Sequence, residues 1–229
     1  MSEPTGPDVA VAHRLLLVRH SEIASHRGDV PLTDDGVEIA HEVGRELAKE
    51  HAAFHVLTGG TLRTRQTAEA VAGGARSEGA NVEGPRVAFA LRNPDIYVAG
   101  ERVDMVSSAA ALAEQVPGMT EDQAATNPFF AEFFDHPDRI GWWLRLSAVP
   151  GDDAATLARR LDAFAGSLAD PGGPTGGLTV AVTHSPVLRA CALAHLGDDP
   201  GEPPWVGGLE YAVLSDRSLQ VSSFAVDLT

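Results

Sequence analysis

Short apolar runs alternate along the chain with segments in which apolar residues recur at helical spacing. Residues 15–18 (Leu-Leu-Leu-Val) and 178–182 (Leu-Thr-Val-Ala-Val) are largely apolar runs, typical of strands that are buried on both faces. Between them, Thr33 precedes two aspartates and a helical pattern that reaches about residue 50, which predicts a capped helix. Buried strands that alternate with helices predict a three-layer α/β/α fold, with a mostly parallel sheet and helices on both faces.

The remaining elements are predicted from the same two periodicities. Further strands are expected at about 54–57, 87–91, 209–214 and 219–226, and further helices at about 64–72, 151–168 and 186–196. The Gly-rich residues 73–85 are expected to form a loop. Asp216 and Arg217 are typical of a hairpin turn between the last two strands.

The chain is predicted to form one domain with a tail and an insertion. Residues 1–12 contain acidic residues and two prolines but no apolar core, which predicts a disordered tail and not a signal peptide. Residues 13–229 are expected to form the single domain. Within it, residues 92–150 are broken at four prolines and contain short helical pieces at about 103–115 and 129–134. They predict a cap-like insertion over one end of the sheet.

The acidic charge narrows the range of partners. Lysine and arginine total 17 against 32 aspartates and glutamates, which gives a formal charge of −15. Without a basic run, neither a nucleic acid nor an anionic membrane surface is expected as a partner. Cys191 is the single cysteine, so no intramolecular disulfide can form. With no long apolar segment either, we expect a cytoplasmic protein.

Polar side chains follow three of the predicted strands. Arg19 and His20 come directly after the first buried run, Arg63 follows the strand near residue 57, and His184 follows the strand that ends at residue 182. In open α/β sheets, functional residues lie beyond the carboxyl ends of the strands. Two arginines gathered there without carboxylates favour an anion, and the guanidinium group matches phosphate oxygens in a bidentate way.

Three motifs resemble those of a known family. They are residues 16–22 (Leu-Leu-Val-Arg-His-Ser-Glu) with 29–36 (Asp-Val-Pro-Leu-Thr-Asp-Asp-Gly), 63–68 (Arg-Thr-Arg-Gln-Thr-Ala) and 182–185 (Val-Thr-His-Ser). In their order and spacing, residues 14–190 resemble the histidine phosphatase superfamily, also called the phosphoglycerate mutase-like family, of the branch 1 type. The resemblance implies an α/β/α fold, no metal or other cofactor, and phosphoryl transfer through a phosphohistidine. It also implies a small-molecule phosphomonoester or another phosphorylated substrate as the partner.

The resemblance assigns roles to the residues at the strand ends. His20 aligns with the nucleophile, whose neutral imidazole attacks phosphorus while its other ring N–H is held by an acceptor. Arg19 and Arg63 align with the residues that hold the phosphate, and His184 donates to the same oxygens.

Three further positions bear on the phosphate site. Arg27 lies in the loop after the first motif, where the family often has a polar contact to the phosphate. Ser21 stands where the family usually has glycine, so its side chain either crowds the site or hydrogen-bonds a phosphate oxygen. Ser185 replaces another common glycine in the third motif.

The resemblance does not identify the residue that acts as the general acid. Asn93 stands where many members of the family have a glutamate, and asparagine cannot give a proton to a leaving oxygen. Asp95 is the nearest carboxyl group and the first candidate for the acid, with Glu101 and Asp104 as alternatives. Arg92 either points inward, where it would favour a substrate with a second anionic group, or is a surface residue.

These observations favour a metal-independent phosphatase. Residues 92–150 do not follow the pattern expected of a mutase, which must shield its phosphohistidine from water. Three alternatives stay open: an enzyme with phosphoglycerate mutase-like phosphoryl transfer, a non-catalytic regulatory protein that binds a phosphorylated ligand, and a phosphatase that acts on phosphohistidine or phosphotyrosine in proteins. The aromatic residues at 129–134 and 142–143 are either core packing or an apolar wall for the leaving group. The physiological substrate and the oligomeric state are not predicted.

Overall fold

The computed structural model describes residues 10–25, 28–175 and 177–228. Its strands are β1 (Val11–Arg19), β2 (Ala53–Thr58), β3 (Asn81–Val87), β4 (Ile96–Val98), β5 (Glu101–Val103), β6 (Leu178–Thr183), β7 (Gly208–Leu214) and β8 (Leu219–Phe224). Its α-helices are α1 (Asp34–Glu50), α2 (Leu62–Ser77), α3 (Ala109–Ala113), α4 (Glu121–Ala125), α5 (Pro128–Asp135), α6 (Arg139–Leu144), α7 (Ala154–Ser167) and α8 (Ser185–Leu196). None of these helices is both long enough and apolar enough to cross a lipid bilayer.

Six of the strands form one twisted layer in the order β3-β2-β6-β1-β7-β8. The pairs β3–β2, β2–β6 and β6–β1 are parallel, whereas β7 is antiparallel to β1 and β8 is antiparallel to β7. The prediction of a mostly parallel sheet is therefore confirmed, with the predicted closing hairpin at one edge. In the register of β1 and β6, Arg19 lies beside Thr183, so the carboxyl ends of these two central strands meet.

The alternation of side chains along β1 explains why both faces of the sheet are covered. Leu15 and Leu17 belong to one apolar cluster, which contains residues of α7 and α8. Leu16 and Val18 belong to a second cluster, formed with residues of α1 and α2. Because successive side chains of a strand point to opposite faces, a continuous apolar run is required where helices pack on both sides. The predicted three-layer arrangement is confirmed by these two clusters.

Glycines allow α1 and α2 to lie very close together. A Cβ atom on Gly44 of α1 would overlap the carbonyl oxygen of Val71, and one on Gly74 of α2 would overlap that of His41. Both glycines lie inside helices, so their role here is to remove bulk from the contact. The close contact fixes α2 against α1, and the first turn of α2 carries Arg63.

The region after α2 differs from the prediction. Residues 73–85, expected as a loop, contain the last turn of α2 and most of β3, and the strand expected at 87–91 is instead a short 3-10 helix over Phe89–Leu91. The strand contains a Gly-Pro pair, which is typical of turns in sequence. β3 is the edge strand of the sheet, where a proline removes no hydrogen bond that a further strand would need.

Two boundaries in the rest of the chain also shift. Residues 1–9 lie outside the described residues, and β1 begins at Val11, so the last two residues of the expected 1–12 tail belong to a strand that pairs with β7. The helix expected at 103–115 is shorter, because β4 and β5 pair as a small hairpin that ends at residue 103. The region 92–150 also has an apolar cluster of its own, made by Ile96, Val98, Val103, Leu112, Val116, Ala124, Phe130 and Phe133.

Candidate active site

The side chains predicted at the strand ends line one cavity of about 540 Å³. Arg19 and His20 enter it at the end of β1, His184 enters at the junction of β6 and α8, and Arg63 enters from the first turn of α2. The backbone N–H of His20 donates to the carbonyl oxygen of Thr183 at 3.0 Å, which holds the ends of β1 and β6 together. The structure thus brings together four residues that are up to 165 positions apart in sequence.

His20 is held in a defined orientation and tautomer. Its Nδ1 lies 2.8 Å from the carbonyl oxygen of Ser21, and a carbonyl oxygen can only accept, so Nδ1 carries the proton. In the neutral ring, Nε2 then bears the lone pair. A buried imidazole with this tautomer has the arrangement required of a nitrogen nucleophile.

His184 is the buried neighbour of His20. The two ring centroids are 5.5 Å apart, with the rings edge to face. Burial lowers the pKa of His184 well below its usual value, and the nearby side chains of Arg63 and His20 act in the same direction. Among the described residues, its Nε2 has no hydrogen-bond partner. His184 is therefore neutral at pH 7, with a ring nitrogen available to an oxygen in the cavity.

Arg63 is fixed to the first motif by a short chain of hydrogen bonds. Thr67, one turn further along α2, donates its hydroxyl proton to the carbonyl oxygen of Arg63 at 2.8 Å. The same hydroxyl oxygen accepts the backbone N–H of Ser21 at 2.9 Å. Burial lowers the pKa of Arg63, opposed by the charges of Asp29 and Asp104, and an arginine remains protonated at neutral pH.

Arg19 is the most buried of the cations in the cavity, with 6 % of its surface exposed. Its Nη1 donates to the carbonyl oxygen of Pro203 at 2.7 Å, and its Nη2 lies 2.6 Å from a carboxylate oxygen of Glu202. The guanidinium carbon lies 3.7 Å above the ring of Trp205, in a cation–π contact. Burial lowers the pKa of Arg19, opposed by the charge of Glu202. Its Nε has no partner among the described residues.

Glu202 and Trp205 were missed in the sequence, although the predicted topology contained a signal for them. They lie in the segment before β7, and β7 runs antiparallel to β1. The residues that enter an antiparallel neighbour lie beside the end of its partner strand. Once the closing hairpin is placed next to β1, this segment must therefore approach Arg19.

The two weaker predictions for the phosphate site have different outcomes. Ser21 is fully buried, its backbone N–H donates to the Thr67 hydroxyl of α2, and it is absent from the described residues that line the cavity. The expectation that Ser21 contacts phosphate is therefore not supported. Arg27, the other expected contact, lies outside the described residues.

Asp95, the first candidate for the general acid, has a different environment from the one expected. Its carboxylate pairs with Arg92 and Arg102 at 2.5 Å each, and it does not belong to the described lining of the cavity. The hydrogen bond from Arg92, reinforced by Arg102, lowers the pKa of Asp95 to about 2. A carboxyl group in this environment stays ionised and has no proton to donate at neutral pH, so the assignment of Asp95 is corrected.

The same ion pairs decide the orientation of Arg92. Its side chain is engaged by Asp95 and lies 4.2 Å from the ring centroid of Phe89, away from the described cavity lining. Of the two alternative acids, Glu101 is exposed and lies outside that lining, whereas Asp104 belongs to it. Asp104 is therefore the one candidate of the three that shares a cavity with His20.

Asn93 also faces the cavity. Its side chain is 6 % exposed, and its Oδ1 has no hydrogen-bond partner among the described residues. Two carbonyl oxygens, those of Arg92 and Asn93, accept hydrogen bonds from Arg160 at 2.7 and 3.3 Å, which fixes the backbone here. A buried amide without a partner is costly unless it binds a polar group. The side chain is therefore positioned to bind a polar group in the cavity.

The outer part of the cavity is formed by the region 92–150. Its apolar lining residues there are Met105, Val106, Ala111, Phe133 and Ile140, and its polar ones include Ser107, Glu114, Gln115 and Arg139. Trp143, by contrast, is fully buried in the core. The aromatic residues thus divide: Phe133 belongs to the cavity wall, and Trp143 belongs to the core.

The cavity combines features that suit a tetrahedral oxyanion. Two arginines supply positive charge, and His184 adds a ring nitrogen, Nε2, that has no partner within the described part of the chain. Guanidinium groups bind such anions through paired hydrogen bonds. A nucleophilic nitrogen on His20 lies at the same site, so the arrangement can bind a phosphoryl group and form a bond to it.

Comparisons with known proteins agree with this geometry. Residues 15–83 match the sequence profile of a family described as the histidine phosphatase superfamily (branch 1). These residues include Arg19, His20 and Arg63. No curated protein sequence matches the chain.

Several solved structures share the fold. A mycobacterial glucosyl-3-phosphoglycerate phosphatase solved with VO3 is 18 % identical, with a TM-score of 0.56, and the match covers 95 % of this chain and all of that one. YhfR of Bacillus stearothermophilus is 24 % identical over 92 % of this chain and 95 % of its own, with a TM-score of 0.58. A phosphoglycerate mutase of Bacillus anthracis is 19 % identical over 92 % of each chain, with a TM-score of 0.57.

Proposed function

We propose that this chain, in which residues 15–83 match the histidine phosphatase superfamily (branch 1), is a phosphatase that hydrolyses phosphomonoesters through a phosphohistidine on His20. Members of this superfamily are phosphatases or mutases. The observation that carries the proposal is the hydrogen bond from His20 Nδ1 to the Ser21 carbonyl, inside a cavity that also contains two arginines and His184. It leaves the lone pair of the neutral ring on Nε2, the atom that must attack phosphorus.

In the first step, Nε2 of His20 attacks the phosphorus atom in line with the bond to the leaving oxygen. A nitrogen–phosphorus bond forms and the phosphorus–oxygen bond breaks, with its electron pair leaving on the oxygen. Arg19 and Arg63 neutralise the charge on the equatorial oxygens, and His184 donates a hydrogen bond to one of them. Water then attacks the phosphohistidine: an oxygen–phosphorus bond forms, and the nitrogen–phosphorus bond breaks with its electron pair returning to Nε2. The carboxylate that protonated the leaving oxygen takes the proton that the water loses. Because Nδ1 keeps its own proton throughout, His20 leaves as the neutral imidazole.

The leaving oxygen needs a proton unless it is already a stable anion. We assign this donation to Asp104, because it belongs to the cavity lining and Asp95 does not. A hydrogen bond from its backbone N–H to the side chain of Gln115 at 2.8 Å holds Asp104. Its Oδ1 also accepts a hydrogen bond from Nη2 of Arg102 at 3.1 Å, so Oδ2 is the oxygen that must carry the proton. Asn93 binds the phosphoryl group instead, with its amide turned so that the NH₂ group donates to an oxygen.

The partner of this site is a small organic phosphomonoester. The apolar part of the outer wall, which includes Phe133 and Ile140, supports a leaving group with an organic body. The formal net charge of −15 argues against a polyanionic partner.

The proposal is tested by turnover of p-nitrophenyl phosphate in the presence of EDTA. We expect the wild-type protein to turn over and the His20→Ala variant to lose at least 1,000-fold in kcat. His51→Ala is the matched control, because His51 caps α1 through its backbone and lies outside the described cavity lining; it should keep wild-type turnover. No turnover by the folded wild-type protein between pH 5 and 8 would overturn the proposal in favour of a phospholigand-binding protein.

A second readout separates hydrolysis from transfer. In the presence of 1 M glycerol, a phosphatase releases one inorganic phosphate for nearly every p-nitrophenol. A mutase-like enzyme passes the phosphoryl group to the acceptor hydroxyl, so phosphate falls short of p-nitrophenol. A shortfall above half would contradict the assignment as a hydrolase.

A further inference from the structure

Glu202 makes contacts inside the candidate site that the reaction steps above do not use. One of its carboxylate oxygens, Oε1, lies 2.6 Å from Nη2 of Arg19. The other, Oε2, accepts the hydroxyl proton of Ser185 at 2.6 Å and lies 4.0 Å from Arg189. Glu202 also belongs to the lining of the cavity, and about half of its side chain is exposed. An internal carboxylate therefore occupies part of the guanidinium group that is assigned to the phosphate.

Arg19 does not depend on this carboxylate for its orientation. It donates to the Pro203 carbonyl at 2.7 Å, packs on Trp205 at 3.7 Å and is 6 % exposed, so three other constraints hold it. What Glu202 supplies is a negative charge beside a buried cation. A buried, unpaired guanidinium is unfavourable, and either a carboxylate or a phosphoryl group can relieve it.

We propose that Glu202 is an internal competitor of the substrate: its carboxylate takes the place of a phosphoryl oxygen on Arg19 and so sets the affinity of the site for phosphate. The proposal rests on the proposed function, since it assumes that Arg19 binds the phosphoryl group. Ser185, the first residue of α8, holds Glu202 in this position, because its hydroxyl donates a hydrogen bond to the second carboxylate oxygen of Glu202. The serine that replaces a common family glycine thereby acquires a specific contact.

Phosphate can displace the Glu202 carboxylate from Arg19 because it carries more charge and can contact more of the cavity's residues. A phosphate dianion can bind Arg19, Arg63 and His184 at once, whereas the carboxylate of Glu202 reaches only the first of them. When phosphate binds, Glu202 moves aside, and Arg189, already 4.0 Å away, is the cation next to it. The apparent affinity equals the intrinsic affinity multiplied by the fraction of molecules in which Glu202 does not occupy Arg19. Substrate and released phosphate are both held less tightly as a result.

The test measures the binding of inorganic phosphate by isothermal titration calorimetry, which needs no turnover. For Glu202→Gln, which keeps the shape but removes the charge, we expect the Kd for phosphate to fall about tenfold. For Ser185→Ala, which removes the anchor, we expect a fall of about threefold. Glu132→Gln removes the same charge from an exposed position on α5 outside the described cavity lining, and its Kd should stay within twofold of wild type.

The alternative role of Glu202, to position Arg19, has the opposite signature. If Glu202→Gln binds phosphate as weakly as the wild type or more weakly, the inference is overturned while the phosphate site itself stands. If neither the wild type nor Glu202→Gln binds phosphate at all, the proposed function fails and the inference fails with it. Glu202→Ala, with the same expectation of tighter binding, replaces Glu202→Gln if that variant does not give a wild-type circular dichroism spectrum.

Discussion

Substitution of Asp95 tests most sharply whether a carboxylate takes part in the reaction or only stabilises the fold. Replacing it with asparagine keeps the size of the side chain and removes its charge. The structure predicts that this charge holds Arg92 and Arg102 at 2.5 Å each, and that its loss affects the fold and not the reaction. The backbone of Asp95, which binds Asp152 through both its N–H and its carbonyl oxygen, is unchanged by the substitution.

The magnitude follows from the pKa of Asp95. Its two arginine partners lower this pKa from 3.8 to about 2, a shift that corresponds to about 2 kcal/mol of unfolding free energy at neutral pH. The side chain is 14 % exposed, so screening by solvent removes only a small part of it. Because the folded-state pKa is lowered, the contribution is fully present above pH 4 and is lost as the pH falls toward 2.

The assay combines urea unfolding at pH 7 with turnover of an alkyl phosphate, whose leaving oxygen needs a proton. Asp95→Asn should unfold about 2 kcal/mol more easily and keep kcat within twofold of wild type. Asp104→Asn, the matched control, should lose about 100-fold in kcat on the alkyl phosphate and much less on p-nitrophenyl phosphate. A loss of 100-fold or more for Asp95→Asn at unchanged stability would refute this reasoning and restore Asp95 as the acid.

Three further predictions concern packing, pH and salt. Gly74→Ala should lower the unfolding free energy by about 2 kcal/mol through overlap with the His41 carbonyl, whereas Gly166→Ala in α7, where a Cβ meets no atom within 4 Å, should raise it by about 0.5 kcal/mol in the same urea titration. Since burial lowers the folded-state pKa of His184, the wild type should lose more stability than His184→Gln as the pH falls from 7.5 to 5.5, and equal losses would contradict the shift. Raising ionic strength from 0.05 to 0.5 M should not lower kcat/KM, because the net charge of −15 repels anionic substrates, and a steep loss would contradict this picture.

The part of the site that sequence patterns predict is the part that depends on strand ends. Arg19, His20 and His184 follow directly after runs of apolar residues, and the carboxyl ends of parallel strands meet at one edge of a sheet. Their convergence therefore follows from topology alone. Arg63 is predicted for a similar reason, because the short loop after β2 leads straight into α2.

The part that sequence patterns miss depends on how loops pack. Glu202 and Trp205 reach Arg19 only because their segment folds across the end of β1, and no periodicity marks that contact. Asp95 is near Asn93 in sequence, but the β4–β5 hairpin places Arg102 against it and holds it away from the cavity lining. Its closeness to Asn93 in sequence did not predict whether Asp95 reaches the cavity, because ion pairs with arginine determine where its side chain lies.

The same distinction applies to the fold. The apolar run of β1 predicts a strand covered on both faces, since nothing else buries four consecutive side chains so completely. β3 was predicted several residues too late, because its Gly-Pro pair is typical of turns and only its position at the sheet edge makes a strand acceptable.

The central claim is that the phosphoryl group passes through His20. It is tested most directly by mixing the protein with a ³²P-labelled phosphomonoester, quenching in alkali within milliseconds, and mapping the label by peptide mass spectrometry. We predict label on Nε2 of His20, formed and lost at rates that account for steady-state turnover, and none in His20→Ala. Turnover with no labelled histidine, or label on any other residue at a competent rate, would contradict the account.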